Sequence, residues 1–432
     1  MDFLSDVSLV DGPVMWASIA LGSAGAAYLL WKRRRTWAVV VVACLVASAG
    51  LVALVHWILI DLAATFSENL PFETLMWSGV AVASLLICIM RMRRSSWAGR
   101  ILSVLSMLLV VVLCLVQVNL YFGLNKSVAD LLGTSVARIP VLEPALTRAQ
   151  SPQSSPSLSG WKAPDSMPGG GILRKSNIPG TASGFAARDA YIYLPPAYQT
   201  TPRPELPVLV LFAGQPGGPT DWLSGGQLRS VMDRFASEHQ GLAPVTVIVD
   251  PNGSANANTM CMDSRIAQVD TYLSQDVPAW ISQTLSVNRD HKQWAVGGFS
   301  FGGTCALQMG TLHPDLFPSI LPFAAEREPA LAKDRNKTIA DSFDGDVEAF
   351  ESKTPLVLMQ QRNYSGSGVY LVSGEADHEF TGYMNELAAA AKAAGFETQE
   401  HPIPGAGHSW EAVIQGMPGG LGFLAQRWGL PS

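Results

Sequence analysis

The run Gly298-Phe299-Ser300-Phe301-Gly302 sets one hydroxyl between two glycines. A serine hydroxyl is a poor nucleophile until a base takes its proton, so the run matters only where a turn exposes the oxygen beside a base. Its surroundings favour that reading. Gln293 to Gly297 reads as a strand and Phe301 to Leu312 as a helix, which puts Ser300 on a sharp strand-to-helix corner, a nucleophile elbow. Gly298, Gly302 and Gly303 supply the small neighbours that a tight corner needs. The helix begins directly behind the serine, with its free N–H groups and positive dipole end near the reacting oxygen. The plainer alternative is a glycine-rich turn with an incidental serine.

The base and its orienting acid should follow in the order serine, acid, histidine. His408 lies in Gly405-Ala406-Gly407-His408-Ser409-Trp410, between the strand Thr398 to Ile403 and a last helix. Asp377 follows the strand Val369 to Val372, in Ser373-Gly374-Glu375-Ala376-Asp377, and Glu375 is the alternative acid. Both loops leave the C-terminal ends of strands, where open α/β sheets place their ligands. His239, His291, His313, His378 and His401 lack the glycine loop of His408. An oxyanion needs donors fixed in advance. One expected donor is the backbone N–H of Phe301, and the other that of Gln215, in the loop Ala213-Gly214-Gln215-Pro216 after the strand Pro207 to Phe212.

These positions need a scaffold, and the pattern from about Phe185 onward supplies one. Strand-like runs at Ala190 to Leu194, Pro207 to Phe212, Val245 to Asp250, Gln293 to Gly297, Ile320 to Phe323, Val369 to Val372 and Thr398 to Ile403 are separated by helical stretches. The main ones are Gly226 to Glu238, Val269 to Leu285 (with Pro278 marking a break), Phe301 to Leu312, Glu386 to Ala394 and Trp410 to Trp428. Such alternation implies an α/β domain with a mainly parallel sheet covered on both faces.

The first third of the chain is different. Charged residues make up 15 % of the sequence against about 25 % in average soluble chains, and the deficit is concentrated there. Pro13 to Trp31, Thr36 to Ile60, Thr74 to Met90 and Ile101 to Phe122 are apolar runs without Asp, Glu, Lys or Arg, and His56 is the one histidine among them. Each approaches the roughly 20 residues needed to span a hydrocarbon core of about 30 Å. Lys32 to Arg35 separate the first two runs, and Arg91, Arg93, Arg94 and Arg100 the last two, whereas Asp61 to Glu73 holds no Lys or Arg. The positive-inside rule then puts both basic loops in the cytoplasm and both termini outside. Cys44, Cys88 and Cys114 fall in apolar runs, leaving Cys261 and Cys305 in the exterior part. An even pair in an oxidising compartment suggests one disulfide, with two free buried thiols as the alternative. The expected organisation is a membrane domain over residues 1–125, a linker and spacer over 126–184 and a catalytic domain over 185–432. Within the linker, Val128 to Leu142 allows a short helix and strand, and Gln150 to Ser159 is a Pro/Ser/Gln spacer.

Residues 185–430 resemble the esterase D and mycolyltransferase branch of the α/β hydrolases. The resemblance is carried by Gly214 with the downstream Trp222, Gly298 to Gly303 followed by Ala306-Leu307 and His313-Pro314, Gly374 with Asp377, and Gly407-His408 with Trp410. Where many relatives have His-Gly, this chain has Ala213-Gly214, a change that a backbone oxyanion role tolerates. The resemblance implies an α/β-hydrolase fold; with the four expected transmembrane α-helices ahead of it, the arrangement is similar to that of actinobacterial envelope proteins.

Three functions fit these residues. The first is a membrane-anchored extracytoplasmic serine esterase acting through Ser300, His408 and Asp377. The second is an acyltransferase in which a sugar or lipid hydroxyl of the cell envelope replaces water. The third is a membrane-tethered binding protein with a vestigial hydrolase domain. The expected partners are an ester or acyl-lipid substrate and membrane lipid. A net charge of −6 without an exterior basic patch gives no indication of nucleic-acid binding, and no metal-ligand spacing or phosphate loop suggests a cofactor.

Overall fold

The computed structural model describes residues 7–34, 36–93, 95–148 and 158–431. Residues 150–157 of the expected spacer, and Arg35 and Arg94 of the basic loops, lie outside them. The chain forms two compact units, residues 1–135 with 331–335, and residues 136–330 with 336–432.

In the first unit the four apolar runs are helices α1 (Gly12–Leu30), α2 (Trp37–Trp57), α3 (Phe72–Met92) and α4 (Trp97–Phe122). All four are long and apolar enough to cross a membrane, and at most 28 % of each apolar window is buried within the protein. Side chains such as Val39, Val46 and Leu115 therefore point outward, as they do where lipid rather than protein covers a helix. Close packing is achieved through small residues. A Cβ at Gly22 of α1 would lie 2.6 Å from the Leu113 Cβ of α4, so the glycine lets the two backbones approach. At the end where α1 and α3 finish, the Arg91 guanidinium donates to the Trp31 carbonyl (2.8 Å) and lies 4.1 Å from the Tyr28 ring centroid. Lys32 Nζ donates to the Arg91 carbonyl (3.2 Å), so the basic residues that set the expected orientation also tie these helix ends together. Beyond Trp57, α2 continues as a π-helical turn, Ile58–Leu62.

The second unit is built on one sheet of eight strands: β1 (Ile172–Ser176), β2 (Ala190–Leu194), β3 (Val208–Phe212), β4 (Val245–Val249), β5 (Trp294–Phe299), β6 (Ser319–Phe323), β7 (Gly368–Gly374) and β8 (Glu397–Ile403). Their order is β1-β2-β4-β3-β5-β6-β7-β8. β1 and β2 run antiparallel at one edge and the rest are parallel. Val, Leu, Ile and Phe, with the single polar Thr246, fill β3 and β4, which are buried along their whole length, as expected of central strands covered on both faces. β8, at the other edge, is largely exposed and charged.

Several differences from the sequence reading have physical causes. β1 lies inside the stretch read as linker; its Ile-Leu-Arg-Lys-Ser sequence is half-buried throughout, so it carries no clear alternation. The strand expected near Val141 is reduced to a single bridge between Val141 and Lys175, after two short helical turns at Val128–Leu131 and Thr134–Ala137. The stretch from Val269 stays helical through Thr284, with a π turn at Tyr272–Asp276 in place of a break: the Val277 N–H bonds to the Tyr272 carbonyl, and Pro278, which has no N–H, follows directly.

The chain turns from one side of β3 to the other between β4 and β5. Such a switch point opens a crevice at the C-terminal ends of the central strands. In register, Phe212 pairs with both Val249 and Gly298, so the loops after β3, β4 and β5 emerge side by side. Cys261, in the loop after β4, is disulfide-bonded to Cys305 in the helix behind the elbow; Cys44, Cys88 and Cys114 are free and buried. The bond closes a sequence separation of 44 residues, worth about 4 kcal/mol in the chain-entropy account. Cys261→Ser should therefore lower the unfolding free energy of this unit by about that amount in a denaturant titration. Alkylation of the unfolded, unreduced protein should modify three cysteines; modification of all five would contradict the bond.

Candidate active site

Strand β5 delivers Ser300 at its C-terminal end, and the helix Phe301–Leu312 starts at the next residue. Ser300 adopts φ 58°, ψ −122°, a conformation that a non-glycine residue holds only when its surroundings enforce it. Here two contacts enforce it. The Ser300 N–H donates to the Phe323 carbonyl of β6 (2.8 Å). On the helix side, a Cβ at Gly302 would stand 2.3 Å from the Phe212 carbonyl oxygen, and one at Gly298 would stand 2.0 Å from that of Gly302. Only hydrogen fits at either position, so the helix start is wedged against β3 and the serine side chain is turned outward.

The structure brings His408 and Asp377 to this serine. His408 Nε2 is 2.8 Å from Ser300 Oγ, and His408 Nδ1 is 2.8 Å from Asp377 Oδ2. With the carboxylate accepting from Nδ1–H, the unprotonated Nε2 faces the hydroxyl as an acceptor. Asp377 is also the N-cap of the helix His378–Ala393, its Oδ1 accepting from the Phe380 N–H (3.5 Å). One carboxylate oxygen thus holds the helix and the other holds the imidazole. The two loops are closed onto each other: the Glu375 N–H donates to the Ile403 carbonyl and that of Ala376 to the Ala406 carbonyl. A Cβ at Gly374 would sit 2.3 Å from the Ala406 oxygen, so the loops approach this closely because β7 ends in glycine. Glu375, the alternative acid, is exposed, and Asp377 occupies the place at the histidine.

Two aromatic rings pack against the imidazole. Phe299 stacks on it at 5.1 Å between centroids, and Phe380 lies at 4.1 Å. Trp410 packs on Phe299 and edge-on against Trp222, whose indole N–H donates to the Phe212 carbonyl (2.9 Å). The His408 and Asp377 side chains are only 17 % and 10 % exposed. Water is thereby kept from most of the hydrogen-bonded chain, which strengthens it electrostatically. The other histidines stand elsewhere: His313 Nε2 pairs with Asp270 (2.6 Å) at the far end of the elbow helix, and His239 Nδ1 contacts the Phe235 carbonyl (2.8 Å).

Of the two expected oxyanion donors, Phe301 occupies the first helical position after Ser300, where a backbone N–H has no intrahelical partner. Gln215 lies in the neighbouring loop, its side-chain amide donating to the Asn256 carbonyl (3.2 Å). That loop is held by residues the sequence reading passed over. Asp250, at the end of β4 and fully buried, accepts from the Arg188 backbone N–H, Nε and Nη2 at 2.8–2.9 Å. It also accepts from the N–H groups of Asn252 and Gly253. Burial alone would raise the Asp250 carboxyl, but the bonds from Arg188 more than reverse this and hold it below the ordinary carboxylate value. Arg188 in turn donates to the Gly217 carbonyl (3.0 Å), and the Gly217 N–H donates to Ala255 (2.9 Å). A charged residue ending an otherwise apolar, β-branched strand was the available signal, because a buried charge requires a partner. Among the described residues no cluster of His, Cys, Asp and Glu could hold a metal ion.

Comparison with known proteins bears on the family and the fold. Residues 186–424 match the model of the Esterase family. An uncharacterized protein of Corynebacterium glutamicum is 33 % identical over 98 % of both chains. Among solved structures, a ferulic acid esterase is similar with a TM-score of 0.52 and 18 % identity, over 60 % of this chain and 99 % of its own. An S-formylglutathione hydrolase from Agrobacterium tumefaciens gives 0.50 and 19 %, over 61 % and 96 %. Those two likenesses establish the fold, and the family match covers more than half of the sequence: the chain belongs to the Esterase family of α/β hydrolases.

Proposed function

We propose that this chain is a membrane-anchored serine esterase whose catalytic unit faces the outside of the cell and cleaves carboxylic esters through an acyl-enzyme on Ser300. The observation that carries the reading is the unbroken sequence of contacts Ser300–His408–Asp377, 2.8 Å at each step. Ser300 Oγ attacks the ester carbonyl while His408 Nε2 takes its proton, and Asp377 stabilises the imidazolium that forms. The carbonyl electron pair moves to oxygen, where the Phe301 and Gln215 N–H groups are the donors in this account. Collapse of the tetrahedral adduct expels the alcohol, which takes the proton from His408. Water then enters by the same route in reverse, giving the acid and free Ser300. An intact, largely buried carboxylate–imidazole hydrogen bond beside the serine favours catalysis over a vestigial binding role. A sugar or lipid alcohol in place of water would make the same acyl-enzyme a transferase, and product analysis with added acceptor alcohols distinguishes the two.

The membrane assignment rests on the four apolar helices, and the orientation on the basic residues between α1 and α2 and between α3 and α4. The substrate class that suits this placement is an ester or acyl lipid of the cell envelope.

Ser300→Ala and His408→Ala should each lower hydrolysis of a p-nitrophenyl ester by on the order of 10⁴-fold or more, with unchanged circular dichroism. Substantial activity in either folded variant would remove the assignment. Asp377→Asn should cost about 10⁴-fold and Glu375→Gln almost nothing; the reverse order would transfer the acid role to Glu375. In intact cells, an impermeant reagent should reach tags at both termini and leave single cysteines placed in the basic loops unlabelled. Protection of the C-terminal tag would invert the topology.

A further inference from the structure

Two peptide groups in the loop after β3 bear on the reacting oxygen. The first joins the Gly214 carbonyl to the Gln215 N–H, and the second joins the Gly217 carbonyl to the Gly218 N–H. The first lies against the elbow, since a Cβ at Gly214 would stand 3.5 Å from the Ser300 Cβ. Among the described residues the Gln215 N–H meets no protein acceptor, while the side-chain amide of the same residue is used on the Asn256 carbonyl (3.2 Å).

The second peptide is held at both ends by opposite charges. Its carbonyl accepts from Arg188 Nη2 (3.0 Å), and its N–H donates to Asp221 Oδ2 (2.8 Å). Asp250 fixes the guanidinium through Nε (2.9 Å) and Nη2 (2.8 Å). Arg188 precedes β2 and Asp250 follows β4, and these strands pair antiparallel, so the clamp stands on the sheet. It has no slack: a Cβ at Gly218 would lie 2.7 Å from Arg188 Nη1, and one at Gly217 would lie 2.3 Å from Asp221 Oδ2. That same Cβ at Gly217 would lie 2.9 Å from the Gly214 carbonyl oxygen. The clamped peptide therefore backs onto the peptide that ends in the Gln215 N–H. Turning the clamped one would break two charge-assisted bonds at once, and these are the stronger kind.

We propose that Arg188 and Asp221 are positioning residues for ester cleavage: by clamping the Gly217–Gly218 peptide they hold the Gln215 N–H toward the oxygen on which charge develops. The inference rests on the esterase reading and on Gln215 as the second oxyanion donor. Neither side chain touches the reacting atoms. What they set is the placement of a donor, and a displacement of about 1 Å in such a group costs about 10²-fold in rate.

Three variants of the full chain in nanodiscs test it. Arg188→Lys keeps a positive charge beside buried Asp250, so no buried carboxylate is left unpaired, but it loses the planar fork that reaches Gly217 as well. Asp221→Ala removes the acceptor of the Gly218 N–H, and Asp221→Asn restores one. Each is assayed with a p-nitrophenyl ester and the matching thionoester, whose adduct places its charge on a larger sulfur that donors set for oxygen fit poorly. Arg188→Lys and Asp221→Ala should each lower kcat on the ester about 20-fold with KM within about twofold. Both should also lower the preference for ester over thionoester about tenfold, whereas a general loosening of the fold slows both substrates alike. Asp221→Asn should stay within about threefold of the unaltered chain. Thermal melting verifies that each variant is folded. Unchanged kcat in folded Arg188→Lys and Asp221→Ala, an equal loss on both substrates, or no recovery in Asp221→Asn would overturn the proposal. An unaltered chain no faster than Ser300→Ala would instead remove the esterase reading, and the role of the clamp with it.

Discussion

The elbow helix cannot move away from β3 without releasing Ser300 from its conformation. Gly302 packs against the end of β3 with no room for a methyl group, and the Ser300 N–H is fixed to β6. Backbone strain of this kind costs on the order of 1–3 kcal/mol, and a sheet whose central strands are buried on both faces is what can sustain it. The geometry that results serves three purposes. It exposes Oγ, it aims the start of the helix at the same point, and it leaves the Phe301 N–H without an intrahelical partner. Position and electrostatics at the serine follow from one tight contact between a helix and a strand.

The remaining groups are brought to that point by loops, and each loop is bound to its neighbour. The acid and histidine loops are joined backbone to backbone between 374–376 and 403–406, so Asp377 and His408 move as a pair. On the other side, Asp250 collects bonds from Arg188, Asn252 and Gly253, and Arg188 passes the connection to Gly217. Asn252 Oδ1 accepts from the Thr259 N–H (3.0 Å), two residues before the disulfide that returns to the elbow helix. Long loops are ordinarily the mobile part of such a domain. Here they are fastened to the serine's own helix, which would hold donors on that side in place before charge develops if the proposed oxyanion role is right.

Much of this was legible in the sequence because short-range rules govern it. The strand Ala190–Leu194 and the helices Phe301–Leu312 and Trp410–Trp428 have the bounds expected from apolar runs and glycine breaks. The glycines around Ser300 announced close approaches, and these fall at Gly298, Gly302 and Gly303, whereas Gly405 before His408 meets no atom within 4 Å and instead adopts a positive φ of 71°. What escaped was what depends on partners far away in sequence. Ile172–Ser176 is a strand only because β2 offers it an edge. The helix after Asp377 begins at His378 rather than Glu386, since the cap is supplied by the same aspartate read as an acid and its first turns mix aromatic and polar residues. Three short helices between 335 and 361 have too little apolar periodicity to register. The pair Arg188 and Asp250 joins positions 62 residues apart, and local pattern does not report such a pairing.

The central claim is that Ser300 becomes acylated, and intact-mass measurement tests it most directly. The purified chain would be incubated with a short-chain and a long-chain activated ester, quenched in acid, weighed and digested. The account predicts a single acyl adduct that maps to the peptide containing Ser300, is absent from Ser300→Ala, and accumulates in the unaltered chain before steady turnover. Turnover without any adduct at Ser300, or an adduct that persists at another residue when Ser300 is replaced, would contradict it.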